Sequence, residues 1–190
     1  MTKILIKNSY LYPLLLGLIF FMLFPQITEH VEFAKIFIGE IEYDQFNTLA
    51  NRAQEFSAQI TIPAVLIDIG MNGLQLQLLI SFLLTCIPFY AIFYISTAIN
   101  PTDPLSAIKL FVVTSCVLFV VEISNLNNYP IQFPTSYAEF GNSGMWIMLL
   151  IIGLLGNNKP IAGFFIGFLF SWHLVWFVGA IIFVFIYFSK

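Results

Sequence analysis

Few residues in this chain can do chemistry, and spacing singles out three groups of them. Glu29 and Glu32 stand three apart, so a helix would put both carboxylates on one face. Two carboxylates that close push one pKa upward, and a protonated acid beside an ionised one suits general acid–base work. The plain alternative is a helix start, where acids favour the positive end of the dipole. His30 points elsewhere on such a helix and reads as solvated. With its two neighbours it makes only a thin set of metal ligands, and no metal is assigned.

The second group is Glu139, Asn142, Ser143 and Trp146, spaced i, i+3, i+4, i+7 and therefore stacked in one helical column. They read as one wall of an outward-facing cavity for a polar head group, or as the solvated first turn of a helix. The third is His173, alone in an apolar run. An ionisable residue inside a membrane span is a functional candidate by default. Its alternative is a neutral imidazole bonded to a neighbouring helix, with Trp172 and Trp176 as packing partners. The only other histidine is His30, so a haem pair is not indicated.

Composition says what must hold these residues. Of 190 residues, 59% are apolar and 9% charged, against about 25% charged in a soluble domain. So few charges cannot cover a water-facing surface, and repeated long apolar runs imply an all-α, polytopic integral membrane protein. A net charge of −3 with no basic cluster excludes nucleic acid as a partner. Cys86 and Cys116 lie singly in apolar runs and read as core. No phosphate loop, nucleophile elbow or HExxH pattern is present, and no cofactor is implied.

About five spans are expected, at 8–27, 74–98, 106–123, 137–156 and 161–188, with an amphipathic extracytoplasmic loop over 28–73. The first span reads as uncleaved, because FPQIT is a poor signal-peptidase site. Within the loop, Phe33, Ala34, Phe37, Ile38 and Ile41 share one face of an interfacial helix. Leu49, Ala53 and Phe56 suggest a second short helix, and Pro63–Ile69 a third. Pro88 should kink the second span. The last two spans join through Gly156-Asn157-Asn158-Lys159-Pro160. In the final one, Gly163, Gly167 and Ser171 form a small-xxx-small row that lets a neighbouring backbone approach. His173 falls nearer mid-membrane on another face, with Phe170 and Trp176.

The positive-inside rule favours a cytoplasmic N-terminus by four basic residues (Lys3, Lys7, Lys109, Lys159) to three (Lys35, Arg52, Lys190). The loop then lies outside, and Glu29, Glu32, Glu122, Glu139 and Asn142 gather near one membrane surface.

A first span followed by a large outer loop with interfacial helices and acids resembles the start of the C-type (GT-C fold) membrane glycosyltransferases. The later stretch YPIQFPTSYAEFGNSGMWIMLL…KPIAGFFIGFLFSWHLVW is similar to poorly characterised bacterial members of that superfamily. The resemblance implies the N-terminal half of such a protein, in the bacterial inner membrane, acting in cell-envelope glycan biosynthesis. It implies a polyprenyl-linked sugar as donor and an acidic residue of the first outer loop as base. Glu29 and Glu32 match that position, although the family more often has Asp there. Glu139, Asn142, Ser143 and His173 are the expected substrate contacts, and a second membrane subunit is an expected partner alongside the bilayer. The competing reading is a non-enzymatic transporter or scaffold subunit with an outward-facing polar cavity.

Overall fold

Short polar side chains set where the helices begin. The structure, a computed structural model, describes residues 9–23, 30–40, 57–123 and 140–189. Among them are eight helices and no strand: α1 (Leu11–Leu23), α2 (His30–Phe37), α3 (Ala58–Asp68), α4 (Gly73–Ile99), α5 (Pro104–Ile123), α6 (Phe140–Asn157), α7 (Lys159–Trp172) and α8 (Leu174–Phe188). Ser57 caps α3 by accepting from the Gln59 N–H at 3.2 Å, and Asn72 caps α4 by accepting from Leu74 at 2.9 Å. Asp103 accepts from the N–H groups of Leu105 and Ser106 at the start of α5, and Asn158 from that of Ile161 in α7. Gly39 (φ 81°) and Gly70 (φ 99°) turn the chain out of α2 and α3 in the left-handed conformation that favours glycine.

The layers form around α4, which packs against α6 on one side and α1 on another. Two glycines permit these approaches. A Cβ on Gly153 of α6 would lie 2.8 Å from the Ile95 nitrogen, and one on Gly17 of α1 would lie 2.6 Å from Cys86 Sγ. The core between the helices is aromatic and aliphatic: Phe20, Phe89, Phe93, Phe111, Ile147, Ile151 and Leu154 are all buried. Phe20 meets Phe89, and Phe93 meets Phe111, edge-on at 5.8 and 5.6 Å. Helices α2 and α3 pack on each other over the start of α4, where Gly73 backs onto Lys35.

Among the described residues one helix, α4 with 27 residues, is long and apolar enough by itself to cross a membrane. It and α5 begin and end within two residues of the expected spans at 74–98 and 106–123. The chain also turns between α6 and α7 at the expected asparagines. Asn157 Nδ2 donates to the carbonyls of Gly153 (2.8 Å) and Tyr94 (3.2 Å), which ties this turn to α4.

The expected single helix over 161–188 is two helices instead. α7 ends at Trp172, and His173 is extended (φ −158°, ψ 102°) before α8 begins. The chain reverses there. Lys159 Nζ lies 5.2 Å from the centre of the Phe188 ring and 5.9 Å from that of Tyr187. One straight helix would separate those positions by about 43 Å. The Phe170 and Phe177 rings close the hairpin near its tip at 5.0 Å. Two other expectations also change. α3 starts five residues earlier than Pro63 and holds that proline inside it. The row Gly163, Gly167, Ser171 is exposed, and no atom comes within 4 Å of a Cβ built on either glycine. The suggested helix around Leu49–Phe56 lies outside the described residues.

Candidate functional site: a hairpin tip above an apolar groove

Reversing a chain at Trp172 leaves the last carbonyls of α7 without helical partners. Residues more than a hundred positions earlier supply them. Ser57 Oγ donates to the carbonyls of Ser171 (3.3 Å) and Trp172 (3.4 Å), and Gln59 Nε2 donates to the Trp172 carbonyl at 2.5 Å. The start of α3 therefore caps the end of α7. The Trp172 side chain reaches the other way, and its Nε1 donates to Ser143 Oγ of α6 at 2.9 Å. Its ring stacks on Phe168 at 5.0 Å and meets His30 of α2 at 5.7 Å. One tryptophan thus joins α2, α3, α6 and α7.

His173 is half-buried beside it and 6.5 Å from Trp176, ring to ring. Its Nδ1 is buried and has no hydrogen-bond partner among the described residues. Gly144 makes room for it: a Cβ there would fall 2.5 Å from Trp176 Cδ1 and 3.0 Å from His173 Cβ. The expected helical face shared by His173 and Phe170 does not persist, because the helical register stops at His173.

Of the expected site residues, Ser143 and His173 come together here, through Trp172 and Gly144. Asn142 lies on the first turn of α6. Glu29 and Glu139 lie outside the described residues. Glu32 is exposed. It sits two residues, or about 200°, around α2 from His30, so burial of His30 turns Glu32 away from the tip. His30 itself is the clearest correction: it is completely buried, not solvated. Burial lowers its pKa from 6.5 to about 4. The buried face of α2 is His30, Val31 and Ala34, whereas Phe37 is exposed. The sequence carried a weak sign of this, since His30, Val31 and Ala34 are also spaced for one helix face.

Below the tip a groove of about 530 Å³ runs between four helices. α3 contributes Ile62, Pro63 and Leu66, and α4 contributes residues from Leu79 to Tyr94. α6 contributes Ile147, Leu150 and Leu154, and α7 contributes Ile161, Phe165, Phe168 and Trp172. Nearly every lining atom is apolar. The α7 wall, eleven helical steps from Ile161 to Trp172, is about 16 Å long and the α4 wall about 22 Å. A groove of that length and apolar lining suits an extended hydrocarbon chain.

No metal-binding cluster of His, Cys, Asp and Glu occurs among the described residues. The sequence matches no protein family, no curated protein and no solved structure.

Proposed function

We propose that this chain is a polytopic inner-membrane protein of cell-envelope glycan biosynthesis, glycosyltransferase-like, that holds a lipid-linked sugar. Its polyprenyl chain would occupy the groove between α3, α4, α6 and α7, with the sugar toward the hairpin tip. The observation that carries this reading is the groove: long, almost wholly apolar, and lined at the tip by Trp172, whose carbonyl and indole N–H are held by Gln59 and Ser143.

The membrane assignment draws support from α4 and from composition. α1, α5, α6 and the α7–α8 hairpin would complete the membrane domain, with α2 and α3 at the outer interface. The hairpin also strengthens the cytoplasmic assignment of the N-terminus. It returns the chain to the side of Lys159, so Lys190 joins the inner group and the basic residues divide five to two.

In the enzymatic form of this reading, Glu29 or Glu32 takes the proton of an acceptor hydroxyl. That oxygen bonds to the sugar's anomeric carbon, and the polyprenyl phosphate leaves with the electron pair of the broken bond. The outward aspect of Glu32 favours a second reading, in which the chain is a non-enzymatic transporter or scaffold subunit with the same lipid site. The broken α7–α8 hairpin suits that reading too, since transporters often build sites on discontinuous helices.

The test is to purify the protein in mild detergent and identify the co-purifying lipids by mass spectrometry. An isoprenoid-chained lipid should be retained, and Leu83→Trp and Leu79→Trp, which fill the groove from exposed positions on α4, should release it. Recovery of bulk phospholipid alone, indifferent to both substitutions, would refute the site. If lipid is retained, sugar transfer that disappears in Glu29→Gln or Glu32→Gln selects the enzyme, and retention without transfer selects the subunit.

A further inference from the structure

The walls of the groove are not uniformly aliphatic. Phe165, Phe168 and Trp172 of α7 are spaced i, i+3, i+7 and share one helix face, and all three line the groove. Tyr90 and Tyr94, spaced i, i+4, line it on the α4 wall. The rings run in series. Phe165 meets Phe168 at 6.5 Å, Phe168 stacks on Trp172 at 5.0 Å, and Tyr90 stacks on Tyr94 at 6.4 Å. Each of these walls therefore carries a track of aromatic rings along the direction in which a bound chain would lie.

The spacing of that track is the informative quantity. From Phe165 to Trp172 α7 rises about 10.5 Å in two steps, and from Tyr90 to Tyr94 α4 rises about 6 Å. An isoprenoid chain repeats every four carbon–carbon bonds. Bonds of about 1.5 Å meeting near 111° advance about 5 Å per repeat. A double bond thus falls beside nearly every ring. An aromatic ring is negative on its face and positive at its edge. A double bond offers a π cloud to the edge and polarised allylic C–H bonds to the face, so it suits a ring in either aspect. It also does not rotate, which leaves an isoprenoid fewer torsions to freeze on binding. A saturated straight chain has neither property.

We infer that the aromatic track of Tyr90, Tyr94, Phe165, Phe168 and Trp172 selects the ligand's tail, favouring an isoprenoid chain over a saturated chain of the same length. The inference rests on the groove holding a lipid chain, and it names the residues that tell that chain from the acyl chains of the bilayer. It concerns the tail alone and applies whatever head the lipid carries, a phosphate included. Length and apolar character are shared by both kinds of chain; the repeat of double bonds is not.

The experiment compares three alcohols with one main-chain length and one head: farnesol, its fully hydrogenated form and dodecanol. Each displaces a brominated alkyl chain that quenches tryptophan fluorescence in the purified full-length protein, where Trp172 lines the groove. Farnesol should bind about tenfold more tightly than dodecanol, the sum of a few ring contacts. The hydrogenated form keeps the methyl branches and loses the double bonds, and should bind like dodecanol. Phe165→Leu and Tyr90→Leu each remove one ring and keep an apolar side chain. Each should cut the preference to about threefold and leave dodecanol binding unchanged, which shows that the groove persists. Phe164 is exposed and does not line the groove, so Phe164→Leu should keep the full preference. Equal binding of farnesol and dodecanol, hydrogenated farnesol binding as tightly as farnesol, or full preference in both groove variants overturns the role of the rings and leaves the groove standing. Displacement unaffected by Leu83→Trp overturns the groove itself, and with it the proposed lipid site.

Discussion

His30 should make the stability of this protein fall steeply in mild acid. The folded state holds the imidazole fully buried and neutral, with a pKa near 4, whereas an unfolded chain titrates near 6.5. Below pH 6.5 the unfolded state binds a proton that the folded state refuses. The contribution of His30 is thus present in full above about pH 6.5 and is lost as pH falls toward 4. The whole window is about 2.5 units, or about 3.4 kcal/mol at about 1.36 kcal/mol per unit. At pH 5 the loss should be about 2 kcal/mol.

The measurement is SDS-induced unfolding from mixed micelles, followed by tryptophan fluorescence at pH 7.5 and pH 5.0. The wild type is compared with His30→Phe, which keeps an aromatic ring against Trp172 and cannot titrate. The exposed carboxylates Glu32 and Glu40 are common to both proteins and cancel in the difference. The wild type should lose about 2 kcal/mol more than the variant between the two pH values. Equal losses would mean that His30 is accessible to solvent in the folded protein, and the packing of α2 against the hairpin tip would be wrong.

Two further outcomes follow from the geometry. Cysteines introduced by Lys159→Cys and Phe188→Cys, in a background lacking Cys86 and Cys116, should be joined by a short bifunctional maleimide, read as a band shift. A single helix would hold them about 43 Å apart and give no product. Gly153→Ala should destabilise by about 1–3 kcal/mol, because the new Cβ would lie 2.8 Å from the backbone of Tyr94 and Ile95; Gly163→Ala, on the open face of α7, serves as the control and should cost little by the same unfolding titration.

The parts of this fold that were legible in the sequence are those decided locally. α4 and α5 follow from apolar runs bounded by Asn72, Asp103 and the turn at Asn100–Pro104, and the α6–α7 turn from adjacent asparagines and Pro160. The site was legible only in part. Ser143 and His173 were found as polar residues in apolar surroundings, and the fold does bring them together. Glu32 was chosen for its spacing from Glu29, a criterion blind to which side of α2 is buried. His30, Ser57 and Gln59 were missed because their partner is Trp172, more than a hundred residues away.

The break at His173 shows why such a feature escapes a reading by periodicity. From Ile161 to Phe188 the apolar pattern is continuous, and neither proline nor glycine occurs between Phe168 and Phe177. Local propensity does not interrupt the helix; replacement bonds do. Ser57 and Gln59 take the carbonyls that a continuing α7 would have bonded, and Ser143 takes the indole N–H. The one local hint is composition: Ser171, Trp172 and His173 place three hydrogen-bonding side chains together in mid-run. At 14 and 15 residues, α7 and α8 are about 21 and 22 Å long, short of the roughly 30 Å hydrocarbon core. In the membrane reading proposed above, a tip at that depth cannot rely on bulk water for its backbone groups and finds polar partners within the protein. The polar start of α3, packed against α2, is that partner. It follows that α2, α3 and the C-terminal hairpin form one structural unit, and that a substitution at Ser57 or Gln59 acts on the shape of the groove.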